Sequence, residues 1–177
     1  MAQTYAKQQD PAALLIEVAR TSFARSHEKI VHCVNQLCDD ELHWRPFEGQ
    51  NSISNVILHL CGNVRQWIIA GVGGAPDVRK RQLEFSDRTR YSKAQLLERL
   101  ADAVAEVDRV LASTPPDQVT VPRRIQGFDE TVASAIFDTA AHFTGHTHEI
   151  VYITRLLKKE AYRFQWVPQG KEQGETV

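Results

Sequence analysis

Two histidines on one predicted helix have the spacing of metal ligands. His142 and His146 stand four residues apart, so a helix places both imidazoles on one face, with Cβ atoms about 6 Å apart. Glu149 follows three residues later on nearly the same face, so H-x-x-x-H-x-x-E offers two nitrogens and one carboxylate. Such a pair also arises by chance in a chain with seven histidines, so the spacing alone is a weak indication.

A third candidate ligand lies on another predicted helix. His59 stands beside the apolar stripe of the second helix, with Asn55 and Asn63 one turn away on either side. If the second and fourth helices adjoin, His59 completes a set of three imidazoles around one divalent cation. The predicted metal ligands are therefore His59, His142 and His146. The candidate catalytic residues are Glu149 and Asn63.

The predicted ligand set suits catalysis better than a structural role. Three imidazoles leave at least one coordination position for water or substrate, whereas structural zinc is usually closed by four protein ligands. A divalent ion there could acidify a bound water for hydrolysis, with Glu149 or Asp138 as general base or as a partner that orients an imidazole. It could also hold a thiol as thiolate for transfer to an electrophile. A third hypothesis is a metal-bearing binding or stress-response module without turnover.

The remaining histidines and the cysteines are not predicted ligands. His148 should face away from His146, and we favour a hydrogen-bonded core position for His27. His32 and His43 have the character of surface or loop residues. The three cysteines form no C-x-x-C pair and are predicted to be free, small, buried residues. Cys61 lies two residues from His59, which turns it about 200° around the helix and argues against a ligand role.

Apolar periodicity predicts four helices that would position these side chains. The first follows Asp10-Pro11 and ends near Leu37, and the second begins at Asn51 or Ser52 and stops at Gly71. The third opens with the capping box of Ser92 and Gln95 and ends at Pro115-Pro116. The fourth begins between Asp129 and Thr131 and carries the histidine pair. The predicted fold is an all-α four-helix bundle with a long loop between helices 2 and 3.

The predicted connections differ in character. Residues 38–52 read as a loop in which Trp44 and Phe47 anchor onto the core, and residues 71–92 form a long connection whose basic run 79–81 is predicted to be solvated. Residues 117–130 offer a few extended positions, too short for a sheet. Tyr162, Phe164 and Trp166 are expected to pack on the bundle or on a second subunit before the chain frays.

Length and charge bound the function classes. The chain of 177 residues is predicted to be one domain, residues 1–177, with a core over about 12–166 and a polar tail over 168–177. A formal net charge of -1 and no basic stripe argue against nucleic-acid binding. No apolar stretch is long enough for a membrane span, so we expect a cytoplasmic protein without a membrane partner.

The helix bearing NSISNVILHLCGNVRQW and the last helix bearing HFTGHTHEIVYITRLL resemble the DinB-like (DinB/YfiT) superfamily. The resemblance spans residues from about 12 to 166. The segment GGAPDVRKRQLEF and the ending YRFQWVP further resemble a bacterial subgroup without an assigned role. The sequence departs from the superfamily at one point. Many members have the motif H-x-G-Q from the second histidine of the last helix onward, whereas this chain has His146-Thr147-His148-Glu149, in which a carboxylate replaces a neutral amide.

The resemblance implies a four-helix bundle and a metal held by one histidine of the second helix and two of the fourth, which match His59, His142 and His146. It also implies transfer of a low-molecular-weight thiol, the activity with which several relatives are associated. Zinc or nickel is the expected ion, although three nitrogens and water accept other late divalent metals. Relatives often dimerise, and the apolar flanks of two long helices are compatible with a homodimer. The expected partners are thus a small-molecule substrate and a second copy of the chain.

Overall fold

The computed structural model describes residues 10–167 and is mostly helical, with one small antiparallel sheet. The predicted all-α class is therefore confirmed in its coarse form. The predicted polar tail over 168–177 lies outside the described residues. The elements in chain order are α1 (Pro11–Val34), α2 (Asp39–Leu42), α3 (Ile53–Val64), α4 (Arg81–Ser86), α5 (Lys93–Ser113), β1 (Pro122–Ile125), β2 (Phe128–Thr131) and α6 (Val132–Lys158). Two short 3-10 turns occupy Pro116–Gln118 and Lys159–Ala161.

The long helices begin at the side chains that the sequence indicates. The Asp10 carboxylate accepts from the Ala12 amide at 2.9 Å ahead of Pro11, and Ser92 caps α5 in a reciprocal box with Gln95. Ser52 caps α3 in the same way with Asn55. These contacts satisfy amide groups that have no partner within the helix, so they fix where each helix starts.

The helix α3 does not stop at its last regular turn. It continues as a π-helix over Arg65–Val72, one residue beyond the predicted end at Gly71. The side chain of Ile125 packs so closely on Gly71 that a Cβ there would lie 2.5 Å from the Ile125 Cδ1 atom. The absence of a side chain at Gly71 thus lets the β1 strand close against the end of α3.

The core is formed by four long helical segments. The helix α1 packs against α5 and α6, and α3 packs against the same two helices. Buried side chains from all four segments form one cluster, within which Phe23 and Phe143 meet edge to face at 5.3 Å. The apolar stripe of the second predicted helix is buried along α3 and its π-helical continuation, at Ile53, Ile57, Leu60, Val64 and Ile68. Because α3 and α6 are neighbours, the condition for a shared histidine site is met.

The prediction that Trp44 and Phe47 anchor residues 38–52 onto the core was wrong. The short helix α2 turns Leu42 and His43 inward, and the His43 Nε2 atom lies 2.9 Å from the Tyr91 carbonyl oxygen. Trp44 and Phe47 are instead 38% and 65% exposed. The α2 turn places residues 42 and 43 on the side that faces the core, so the rings of Trp44 and Phe47 lie on the outer side. His43 is therefore a buried residue, not a surface one.

Two predicted connections contain unpredicted structure. The helix α4 forms within the predicted 71–92 loop and packs on α3. The segment judged too short for a sheet forms the β1–β2 hairpin, with Pro122 opposite Thr131. Gln126 and Gly127 both have positive φ, 52° and 89°, which gives the tight turn whose twist suits a two-residue hairpin. Within residues 10–167 no helix is long and apolar enough to cross a membrane.

The last described residues pack only in part as predicted. Tyr162 packs against the core, and its hydroxyl lies 3.9 Å from the Cys33 sulfur. Phe164 and Trp166 are exposed. The chain is tied to α1 through backbone atoms instead, because the Arg163 amide donates to Gln36 and the Arg163 carbonyl lies 2.6 Å from His32.

Candidate metal centre

The structure brings the three predicted ligands together. The rings of His142 and His146 lie on one face of α6 with centroids 4.5 Å apart, and the His59 ring of α3 lies 5.1 and 5.0 Å from them. One nitrogen from each histidine lies within 4.8 Å of the others. The Nε2 atoms of His59 and His142 are 2.9 Å apart, close to the spacing of about 3.3 Å expected for two nitrogens bound tetrahedrally to zinc. The cluster could hold a metal ion.

A carboxylate that the sequence did not single out fixes the orientation of His59. Glu84 of α4 places Oε2 2.9 Å from the His59 Nδ1 atom, with both side chains almost fully buried. An Nδ1–H that donates to Glu84 leaves Nε2 without a proton and directed at the other two histidines. The residues that ligate metals are commonly oriented in this way, and α4 is the element that supplies the partner.

Glu84 is held in its charged form by Arg79. Burial raises the pKa of Glu84, but hydrogen bonds from Arg79 and His59 and the charge of Arg79 outweigh it, so the pKa lies below its ordinary value. Arg79 donates to the two carboxylate oxygens at 2.7 and 2.8 Å, and a third bond runs to Gln66 at 2.9 Å. The Arg79 side chain is only 3% exposed. The prediction that residues 79–81 are a solvated run is therefore wrong for Arg79, because the buried carboxylate needs a cation.

The segment that carries Glu84 is fastened to α3 at two further points. The Asn55 amide donates to the carbonyls of Glu84 and Asp87 at 2.9 and 3.1 Å. Gly62 lies directly beneath the Glu84 carboxylate, where a Cβ would collide with Oε1. Asn55 thus has a structural role, and the missing side chain at Gly62 permits the close approach of α4.

The second carboxylate partner was indicated by the sequence. Glu149 Oε2 lies 2.6 Å from the Nδ1 atom of His146, three residues earlier on α6. This contact orients His146 as Glu84 orients His59, although the pair is 27% and 30% exposed. Burial lowers the pKa of His142 to about 4, and the neighbouring histidines and Arg79 add to the shift, so His142 stays neutral and able to ligate at ordinary pH.

The three histidines open onto a cavity of about 520 Å³ between α3, α4 and α6. Asn63 and Thr139 lie in its buried part, and the carboxylate of Asp138 stands at its exposed edge. Glu149 does not line it. The other lining residues are Trp67, Arg79, Arg81, Phe85 and Gln126. A reactant could therefore reach the histidine nitrogens from one side, while Glu84 and Glu149 contact the Nδ1 atoms of His59 and His146.

The residues left out of the predicted site also lie elsewhere in the structure. His148 is exposed and faces away from the cavity, as predicted. His27 is half-buried in a groove between α1 and α5, and among residues 10–167 no hydrogen-bond partner for its ring is found, so the predicted bonded core position was wrong. Cys61 is buried with its sulfur 3.6 Å from the Arg99 carbonyl, and burial raises its pKa to about 12. It is not part of the cluster that could hold a metal.

The donor set fits a late divalent ion. Three imidazole nitrogens, two of them with carboxylate partners on the opposite ring nitrogen, are the ligands that zinc, nickel and copper accept, whereas magnesium and calcium require oxygen ligands. Cation binding to neutral imidazoles needs no proton release at ordinary pH from His142, because that ring is already neutral.

Comparisons with known proteins describe the fold and leave the activity open. A family model described as "Protein of unknown function (DUF1572)" matches residues 10–171. Among solved structures, the chain is similar to a conserved protein from Enterococcus faecalis, with a TM-score of 0.69 and 16% identity over 79% of this chain and 95% of that one. At this identity the likeness concerns the fold alone. None of the curated proteins matches the chain.

Proposed function

The chain belongs to the DUF1572 family, and from this premise we propose that it is a divalent-metal-binding protein and a metal-dependent enzyme of the DinB-like superfamily. The observation that supports the proposal is the convergence of three histidine nitrogens within 4.8 Å beside a cavity of about 520 Å³. The packing of α3 and α5 against α1 and α6 is compatible with the four-helix bundle of that superfamily.

The favoured reaction is transfer of a thiol to an electrophile. A bound divalent ion would lower the pKa of a thiol or a water and so supply a nucleophile at neutral pH. The sulfur–carbon bond forms as the bond from carbon to the leaving group breaks, and the thiol proton passes to a base or to solvent. The chain's own residues serve this reaction by position: His59, His142 and His146 converge, while Glu84 and Glu149 hold two of the rings.

Metal-dependent hydrolysis is the second candidate, and one residue favours it. Asp138 lines the cavity and is exposed, so its carboxylate could accept a proton from water that enters the site. Glu149 is less suited to act as the base, because its Oε2 atom is already engaged with His146 at 2.6 Å. Glu149 therefore acts as a partner that orients an imidazole.

Elemental analysis of matched variants tests the metal site. The purified protein is expected to carry about one divalent ion per chain. His146→Ala is expected to lose it, and His148→Ala is the control, because that histidine lies two residues along the same helix and is exposed away from the cavity. Equal metal content in all three proteins would refute the site.

Activity measurements then separate the reactions. Cysteine and chlorodinitrobenzene are mixed with the metal-loaded protein, and consumption of thiol that is absent from His146→Ala supports transfer. Hydrolysis of nitrophenyl acetate without thiol, lost in Asp138→Asn, supports the hydrolase instead. A protein that binds metal but accelerates neither reaction would be a binding module without turnover.

We also propose that the protein is a homodimer. Large apolar side chains of α6 are exposed, with Phe137, Tyr152 and Leu156 at 63%, 64% and 48%. Leu14 and Val18 of the neighbouring α1 helix are exposed at 43% and 57%. Large exposed apolar side chains are typical of interfaces between subunits, and symmetric dimers are the commonest assembly.

A further inference from the structure

Two residues that line the cavity each have a buried polar atom without a hydrogen-bond partner among the described residues. These atoms are Asn63 Oδ1 and Thr139 Oγ1, in residues that are 9% and 2% exposed. Both residues line the cavity that contains the three histidines. A buried polar atom without a partner costs free energy, so its retention points to a partner that binds there.

Thr139 differs from the other buried threonines of α6. The hydroxyls of Thr147 and Thr154 donate to the carbonyl oxygens four residues earlier, at 2.8 and 2.7 Å. That bond is available to any helical threonine, yet Thr139 does not make it. Its hydroxyl therefore has neither a donor nor an acceptor bond among the described residues, on a residue that lines the cavity.

Asn63 and Thr139 lie on the same side of the three histidines, as measured along the helix axes. Asn63 follows His59 by one turn of α3, and Thr139 precedes His142 by one turn of α6. The two helices run in opposite directions, because Trp67, farther along α3, stacks on Phe128, which lies just before α6. Asn63 is therefore displaced from His59, and Thr139 from His142, in the same direction, towards the β1–β2 turn.

The buried polar groups at that end of the cavity are uncharged. Asn63 and Thr139 supply an amide and a hydroxyl, and Gln126 of the hairpin turn adds a second amide. The charged groups Arg81 and Asp138 are exposed at the edge of the cavity. Buried neutral acceptors and donors favour a neutral partner over an ion, because an ion would lose its hydration without a compensating opposite charge.

We propose that Asn63 and Thr139 form a specificity subsite that binds an uncharged amide of the molecule whose donor atom occupies the three-histidine site. An amide N–H donates to the Asn63 oxygen, and the amide carbonyl accepts from the Thr139 hydroxyl. The proposal deepens the proposed function and rests on it, because the ligand is anchored at the metal. It assigns substrate selection to residues that do not ligate the ion.

The test uses cobalt-substituted protein, whose visible absorption reports thiol binding. The probes are mercaptoacetamide and mercaptopropanamide, each compared with the methyl ester of the corresponding acid, which keeps the carbonyl but lacks the N–H. The wild type is expected to bind at least one of the amides about tenfold more tightly than its ester. Asn63→Leu should bring that ratio close to one without weakening the ester, because only the amide has the N–H that Asn63 accepts. Thr139→Val should weaken the amide and the ester alike, because both probes keep the carbonyl to which the Thr139 hydroxyl donates.

Thr154→Val is the matched control, because it is the same substitution on the same helix outside the cavity. It should keep the wild-type affinity for both the amide and the ester. Tight binding of thiols without any amide preference in the wild type would overturn the subsite and leave the metal site standing. Absence of cobalt binding would overturn the proposed function, and the subsite is then decided by a measurement that needs no metal.

That measurement is thermal unfolding of the metal-free protein. Thr154→Val removes a formed hydrogen bond and is expected to lower Tm by about 2–4 °C. Thr139→Val removes a hydroxyl without a partner, so Tm should be unchanged or higher. An equal loss of Tm in both variants would show that the Thr139 hydroxyl already has a partner and would overturn the subsite.

Discussion

Replacing Glu84 by glutamine should weaken metal binding more than the same replacement at Glu149. The carboxylate accepts from the His59 Nδ1 atom at 2.9 Å, which keeps the proton on Nδ1 and Nε2 free to ligate. A glutamine can turn its NH2 group towards Nδ1, and the proton then moves to Nε2, where it blocks coordination. Glu84→Gln therefore changes the tautomer of His59 and not the position of its ring.

The size of the effect follows from burial. Loss of a partner of a metal ligand typically costs about 10- to 100-fold in affinity, which is about 1.4–2.7 kcal/mol. We expect the upper half of that range for Glu84→Gln, because the Glu84 and His59 side chains are 10% and 6% exposed and water cannot replace the carboxylate. Glu149→Gln should cost less, because that pair is 27% and 30% exposed and solvent can hydrogen-bond to His146.

The assay is competition for zinc against a chromophoric chelator at constant pH. Folding is verified first, because Glu84→Gln also leaves the buried Arg79 guanidinium without its ion pair and lowers the free energy of unfolding. The variant Arg79→Met with Glu84→Gln removes that unpaired charge and should recover stability but not affinity. A zinc affinity for Glu84→Gln within twofold of the wild type would refute the argument that Glu84 sets the tautomer of His59.

Three further outcomes follow from the same geometry. Gly62→Ala should displace α4 and lower both Tm and zinc affinity, because the new Cβ collides with the Glu84 carboxylate; unchanged zinc competition would contradict this. In the metal-free protein, the unfolded chain takes up a proton on His142 near pH 6.5 but the folded state only near 4, so acidification through this window should lower the free energy of unfolding by about 2 kcal/mol after allowance for partial exposure. Denaturant titrations at several pH values should show a smaller loss for His142→Gln. Phe137→Asp should convert a dimer to a monomer in analytical ultracentrifugation, and a wild type that already sediments as a monomer would refute the proposed interface.

The sequence was sufficient for the parts of the site that follow helical periodicity. The spacing of His142 and His146 fixes their common face, and the apolar stripe of α3 fixes the side on which His59 lies. Capping boxes locate the helix starts because they are local contacts. The pairing of α3 with α6, in contrast, is a long-range property that the resemblance to a known superfamily implied and periodicity did not.

Glu84 escaped prediction for a physical reason. It lies on a six-residue helix inside a connection without apolar periodicity, so no local pattern distinguishes it from neighbouring charged residues. Its role arises from contact with His59 across 25 positions of the chain. One usable signal was present: Gly62, one turn from His59, is unusual inside a helix and indicates that another segment approaches closely there.

The balance of charge around the histidines bears on the reactant that the site can accept. Arg79 neutralises Glu84, so the two buried groups add no net charge, and Glu149 contributes one negative charge next to His146. Arg81 and Asp138 oppose each other at the edge of the cavity. A divalent cation held by three neutral imidazoles would therefore leave one positive charge in a partly buried place, where an anion is favoured as the remaining ligand. Such a site would select a reactant that ionises on binding, as a thiol or a water does, and the proposed subsite of Asn63 and Thr139 would discriminate by hydrogen bonds. Without Arg79, the site would carry a second negative charge and this preference for an anion would disappear, which is a physical reason for burying a guanidinium beside His59, a proposed metal ligand.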